Sequence, residues 1–332
     1  MNIRDRRAIH SQARQILANA PGDPRWIALT YAGISAAVSL LITVISALLS
    51  DRIADTGGLG NMGLRSILST GQTILPILQT LLSLCLSFGY HRAVLRIARG
   101  NAAHPKDLAE GFHYFGAVLR TAFFQAMIYL MVGFGTMYMS IYLYLLTPMS
   151  DTFRGIMEPI LASASSLNGQ ITIDPAVMDS AVSSMLPLFA IWLLALLVLF
   201  VPVYYNYRMT SFCLADDPRH GALLALHRSK IMMRRNRFAL LKLDLSLWWF
   251  YLLQLLISVI CYGDVACGML GIQLPWSGEF SYYFFFVLSM ILQLVTYYFL
   301  MNRVSVTYAV VYESLRQPPQ VPQPDVPFPT EF

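Results

Sequence analysis

The sequence predicts an all-α polytopic membrane protein with six transmembrane helices, patterned as three repeated helical hairpins with interfacial amphipathic helices. Three observations predict it. Six apolar stretches lie at about residues 26–49, 66–90, 118–147, 185–212, 239–262 and 282–311. Each exceeds the ~20 helical residues that cross a hydrocarbon layer of about 30 Å. The composition is 56% hydrophobic and 12% charged, with a mean hydropathy of +0.56, which suits a bundle in lipid better than two soluble domains. The basic residues are also sorted: with the N-terminus inside, all of the 23 Lys and Arg except Arg52, Arg65 and Arg154 fall on the cytoplasmic side. Short basic loops stay in the cytoplasm, so this bias sets a multi-pass protein of the cell membrane with both termini inside.

Residues 1–316 read as a single six-span domain, and 317–332, with six Pro, as a disordered tail. Some 25 polar residues precede the first apolar run, a pattern unlike a cleavable signal. Residues 3–19 read as an amphipathic helix along the inner interface, with Ile3, Ala8, Ile9, Gln12, Ile16 and Leu17 mostly on one side. Pro21-Gly22-Asp23-Pro24 then turns the chain into span 1. Span 1 carries small residues at 4-3-4-3 spacing, Ala32, Ala36, Ser39, Thr43 and Ser46, a face for close helix packing or the wall of a polar groove. A Gly-rich turn at 57–63 leads to span 2, where Pro76 is a kink candidate. His104-Pro105-Lys106-Asp107 has the form of a helix start. The outer segment from Pro148 to Ser184 is acidic, and Asp174-Pro175 opens a helix within it. Asp216-Asp217-Pro218 starts a basic amphipathic helix that runs to Arg237.

The chain repeats itself. Spans 2, 4 and 6 end in Tyr90-His91-Arg92, Tyr205-Asn206-Tyr207-Arg208 and Asn302-Arg303, each followed by further helical residues. Spans 1, 3 and 5 are each preceded by an amphipathic segment: 3–19, 105–116 and 218–237. The unit is an inner helix, a span, an outer turn and a span.

Candidate site residues follow from charge near hydrocarbon. Asp244 lies just inside span 5, where an ionised carboxylate needs a partner. Arg208 and Arg303 stand at the same level. One reading is a structural ion pair; the other is a polar vestibule of Asp244, Arg92, Arg208, Arg303, Asn206 and Asn302 that accepts an anionic headgroup or solute. Arg219, Arg228, Lys230, Arg234, Arg235 and Arg237 are candidate contacts to anionic lipid of the inner leaflet. The net charge of +5 belongs to that face and points to membrane lipids, not to nucleic acid. In-span Gln79, Gln125, Gln254 and Gln293 are expected to hydrogen-bond between helices. Cys261 and Cys267 are either a disulfide or two free thiols; Cys85 and Cys213 read as packing residues. No HExxH, CxxC, P-loop or GxSxG pattern occurs, so no catalytic residue, metal site or cofactor is expected.

Several of these residues carry a resemblance. Ala215-Asp216-Asp217-Pro218, Ala225-Leu226-x-x-Ser229, Met233, Phe238, Leu245-Ser246-Leu247-Trp248-Trp249 and Tyr308-x-x-x-Tyr312-Glu313 resemble a bacterial family of multi-span membrane proteins defined by a domain of unknown function. That family is distantly similar to the membrane domain attached to some glycerophosphodiester phosphodiesterases. Arg235 stands where the family has a Gly, and the outer segment 148–184 is longer than usual. The resemblance implies six spans in the cell membrane and brings no activity. The leading expectation is a non-enzymatic protein that binds lipid, or a membrane-protein partner, through its basic inner face. A small transporter or channel-like protein stands second, and a lipid-modifying enzyme third.

Overall fold

In a computed structural model, the described residues are 5–55, 62–148, 150–151, 155, 175–263, 265, 267 and 278–316. Among them there is helix and no strand. The turn at 57–63, most of the outer segment and the tail 317–332 lie outside or largely outside the described residues.

Helix α1 (Arg6–Ala18) opens on Asp5, whose side chain accepts from the Ala8 N–H at 3.3 Å. It is followed by α2 (Pro24–Asp55) and α3 (Met62–Ala98), which runs through Pro76. A 3₁₀ turn (Pro105–Ala109) leads into α4 (Glu110–His113) and α5 (Phe115–Leu145). The turn starts as its sequence predicts: the His104 N–H donates to Asp107 Oδ2 at 2.9 Å, closing a capping box. Helix α6 (Pro175–Ala195) opens at the predicted proline and passes through a π segment (Leu196–Phe200) into α7 (Val201–Asn206) and α8 (Thr210–Asp216). Then come α9 (Ala222–Met233), α10 (Arg237–Ser246) and α11 (Trp248–Cys261). Finally α12 (Gly278–Thr296), a π segment (Tyr297–Met301) and α13 (Asn302–Arg316) complete the chain.

Five helical runs are long and apolar enough to cross a membrane: Pro24–Ile53, Ser66–Ala98, Phe115–Leu145, Met185–Asp216 and Phe280–Arg316. Their outer faces are apolar; Leu41 is 60% exposed, Leu186 62% and Phe299 60%. Lipid is the solvent in which such faces need no further cover. The protein is therefore a multi-pass membrane protein by the character of its helices.

The fifth predicted span, 239–262, differs from expectation. It is two helices, α10 and α11, bent by 63° at Leu247. Hydropathy averaged over the stretch hides Lys242, Asp244 and Ser246, which make α10 polar. The Ser246 hydroxyl donates back to the Leu243 carbonyl at 2.6 Å, in competition with the helical ladder where the bend occurs.

The chain forms two compact units, Met1–Ala122 with Met209–Phe332, and Phe123–Arg208. Within the first, the repeat closes on itself. The end of α3 packs on the 3₁₀ turn and α4, α8 packs on α9, and α13 packs on α1. Each even-numbered span thus ends against the amphipathic segment of the next repeat, and the last meets the first. The predicted interfacial helix α1 buries Ile9 and Ala13 in this contact, so that part of its apolar side is used on the protein. The predicted helix from Pro218 to Arg237 is shorter than expected. Gly221, with φ +83°, ends a 3₁₀ turn; α9 starts at Ala222, and Arg237 already belongs to α10.

Helices α2 and α3 meet along the small-residue stripe. Gln79 Nε2 donates to Ser39 Oγ at 2.8 Å, and Gln72 Nε2 to Ser50 Oγ at 2.6 Å. Gln79 thus bridges helices as expected, whereas Gln125 turns to Tyr129 of its own helix at 2.9 Å. All four cysteines are free thiols, Cys261 and Cys267 included.

The closest backbone approach is at Gly111, where an added Cβ would lie 1.9 Å from the Cys85 carbonyl oxygen. Gly111→Ala is expected to destabilise by at least about 1–3 kcal/mol through forced separation of α3 and α4. Gly116→Ala, with nothing within 4 Å of its Cβ, should leave the melting temperature unchanged or raise it slightly. Thermal unfolding in detergent checks the pair.

Candidate functional site: a charged end of the helical bundle

Charge gathers where α3, α8 and α13 end. Arg96 Nη1 lies 2.7 Å from Asp107 Oδ1, and its Nη2 lies 2.7 Å from Glu110 Oε1. Arg92 Nε meets Glu110 Oε2 at 2.7 Å, with its guanidinium 5.3 Å from the Tyr114 ring centroid. One turn on, Arg99 pairs with Asp216 at 2.5 Å and with Glu313 at 2.7 Å. Arg316 Nε lies 3.3 Å from the second Asp216 oxygen, to which the Tyr312 hydroxyl donates at 3.1 Å. Sequence reasoning placed Arg92 in a polar vestibule and read Arg96, Arg99 and Arg316 only as topology signals. Their carboxylates come from distant parts of the chain, and no short motif links them.

Below this network a polar-aromatic layer ties spans 1, 2 and 6 together. The Tyr90 hydroxyl is buried 3.2 Å from both Asn302 Oδ1 and Ser305 Oγ. Asn302 Nδ2 donates to the Pro24 carbonyl at 2.9 Å. Tyr31 stacks on Tyr90 with centroids 5.0 Å apart. Asn302, a predicted vestibule residue, is thus also a cross-link.

The other predicted residues are distributed as follows. Arg92 serves Glu110. Asp244 accepts from the Tyr308 hydroxyl at 2.6 Å. Because Tyr308 gives its proton there, the Tyr251 hydroxyl, also 2.6 Å away, is the donor to Tyr308. Arg208 and Asn206 belong to the 123–208 unit, where Arg208 reaches the hydroxyl of Tyr204 and lies over that ring. Arg219, Lys230, Arg234 and Arg235 are exposed, while Arg228 and Arg237 are half-buried.

Arg303 has a different setting. It lines a cavity of about 470 Å³ with Arg7, His10 and Arg14 of α1, and with Ser246 and Trp249 at the α10–α11 bend. A second cavity of about 700 Å³ shares Arg14 and Arg303 and adds Arg25, Asp23 and Asn302. Sequence reasoning missed the contribution of α1; three arginines on a helix preceding a span signalled only the inner face. Burial holds the His10 imidazole below its ordinary value of 6.5, and Arg14, Arg303 and Arg6 push it the same way. His10 Nε2 lies 3.1 Å from Ser246 Oγ, whose own proton goes to Leu243, so the ring donates through Nε2.

Among the described residues no cluster of three or more His, Cys, Asp or Glu is placed to hold a metal ion.

Two outcomes follow. Asp244→Ala should cost about 1–3 kcal/mol, the loss of a hydrogen bond to a charged acceptor, in thermal unfolding. Tyr308→Phe should cost a similar amount, and the double variant much less than the two added together. The His10 shift sets a pH dependence: between the lowered pKa and 6.5 the unfolded chain binds more protons, so stability falls as pH drops below about 6.5. His10→Gln should remove that part of the slope when unfolding is followed from pH 7.5 to 5.5.

The chain belongs to the family described as "Protein of unknown function (DUF975)", whose model matches residues 1–318. No curated protein and no solved structure matches it.

Proposed function

We propose that this member of the family is a non-enzymatic protein of the cell membrane that holds anionic lipid, or a membrane-protein partner, at a basic cytoplasmic face. One observation carries the reading. Helix α9 buries Ala222, Ala225, Leu226, Ser229 and Met233, and presents Leu223, His227, Lys230, Ile231 and Arg234 on its opposite side. Leu223 is 65% exposed and Ile231 61%. Apolar and cationic side chains on one stripe match an interface where acyl chains meet phosphate. Among the described residues, Arg219, Lys230, Arg234 and Arg235 have no salt bridge, and lipid would supply the counter-charge. Each such cation contributes about 1 kcal/mol near an anionic surface. The excess of Lys and Arg at this end supports its cytoplasmic placement.

A second reading, a small transporter, is favoured by the two π segments, Leu196–Phe200 and Tyr297–Met301. The first lies shortly before Tyr205-Asn206-Tyr207-Arg208, and the second immediately before Asn302-Arg303. Loosened helix at matching places of two repeats is a form that ion and solute sites take.

The test is lipid selection by the whole protein in nanodiscs that contain anionic and zwitterionic lipid. Native mass spectrometry should find anionic lipid enriched on the wild type. Joint replacement of Lys230, Arg234 and Arg235 by Gln should reduce that enrichment severalfold, with the reduction vanishing at high salt. Equal retention by both proteins would refute the lipid reading.

A further inference from the structure

The cavity between α1, the α10–α11 bend and α13 is set apart by its charge. Arg7, Arg14 and Arg303 line it, with His10 beside them. No Asp or Glu is among its lining residues, and among the described residues none of the three arginines meets a carboxylate within 4.0 Å.

The internal repeat gives this a meaning. In the first repeat, the arginine after the span is Arg92, and the amphipathic segment packed against it supplies Glu110. In the third repeat, the arginine is Arg303, and the packed segment is α1. There α1 offers Arg7 and Arg14 where the first repeat offers an acid. Three arginines line a place where the same fold elsewhere puts a negative charge. We propose that this cavity binds a phosphate group, as a phosphomonoester or phosphodiester, between Arg7, Arg14 and Arg303.

The chemistry fits that ligand. Guanidinium groups bind phosphate oxygens through paired N–H donors. The hydroxyls of Ser11, Ser246 and Thr307 already donate to backbone carbonyls, so they add little to anion binding. His10 keeps its Nε2 proton on Ser246, which leaves Nδ1 to take a proton and become a further donor when an anion arrives. The walls are apolar at Leu17, Leu247 and Trp249, so a phosphate carried on a lipid also finds cover for its glycerol and upper chains. The volume of about 470 Å³ is in the range of small-molecule sites. This proposal extends the lipid-binding reading to a discrete site, but it uses none of the residues of α9 on which that reading rests.

The test uses the full-length protein purified in a non-ionic detergent free of phosphate. Thermal unfolding and native mass spectrometry are followed against three probes: short-chain phosphatidic acid, inorganic phosphate, and diacylglycerol of the same chain length. Saturable stabilisation by phosphatidic acid and none by diacylglycerol is expected. Arg14→Gln and Arg303→Gln should each weaken it by about tenfold or more, while Lys106→Gln, at an exposed cation outside the cavity lining, leaves it unchanged. Stabilisation by inorganic phosphate at comparable concentration assigns the site to a free phosphate; its absence assigns it to a lipid headgroup.

A sign change separates a binding site from a structural role. Without ligand the three cations repel one another, so Arg14→Gln should leave the melting temperature unchanged or raise it. With phosphatidic acid present the same variant should melt below the wild type. Wild-type affinity in Arg14→Gln and Arg303→Gln, or an equal loss in Lys106→Gln, would overturn the proposal, whatever the behaviour of the α9 surface.

Discussion

The Arg99 guanidinium lies between the carboxylates of Asp216 and Glu313, and the arrangement of the first structural unit depends on that contact. Arg99 follows α3, Asp216 ends α8, and Glu313 is in the last turns of α13. The ends of the three even-numbered spans therefore meet at one cation. Asp216 keeps only 9% of its side-chain surface exposed, a costly position for a carboxylate. Arg99, Arg316 and the Tyr312 hydroxyl all bond it, so its charge is met from three sides. Two arginines and two acids also cancel within the cluster. With the three ends locked in register, each offers a flank to one amphipathic segment, and the cyclic pairing of α3 with α4, α8 with α9 and α13 with α1 follows.

Close packing beneath the cluster holds that register. The backbone of α3 approaches the 3₁₀ turn at Gly89 and α4 at Gly111 so nearly that side chains at these glycines would strike carbonyl oxygens. This brings Glu110 to Arg92 and Arg96, while Asn302 spans from Tyr90 to the carbonyl of Pro24. In lipid the outer faces of the spans gain little by associating, so polar and close-packed contacts of this kind must hold the helices together.

Much of this was legible in the sequence, and the reasons are specific. Spans 1 to 4 and 6 were found because hydrophobic length is set by the bilayer and does not depend on partners. The threefold pattern was visible in the recurring Tyr, Asn and Arg after the spans. Span 5 was drawn straight because a window average dilutes Lys242, Asp244 and Ser246 among leucines. The acids that pair with Arg99 were not legible, since Glu313 lies 214 residues away and charge alone does not specify its partner. Asp244 was recognised as an acid in need of a partner, but its tyrosine neighbour is 64 residues along the chain. The amphipathic pattern of α1 revealed an apolar face without revealing that Ile9 and Ala13 would spend it on protein.

The arginines of this end fall into two classes, and the division bears on what the end is for. Arg92, Arg96, Arg99 and Arg316 are matched by acids from the chain, so their charge is consumed in holding the bundle. The exposed cations of the α9 region and those lining the α1–α13 cavity have no such match among the described residues. Unmatched cations at close range oppose folding by their mutual repulsion. A chain that can place Glu110 beside Arg92 has the means to neutralise Arg303 in the same way, and it places arginines there instead. The cost is offset when an external anion binds, because the free energy of binding then adds to the stability of the folded state. On the proposed reading, stability and occupancy are coupled at this end.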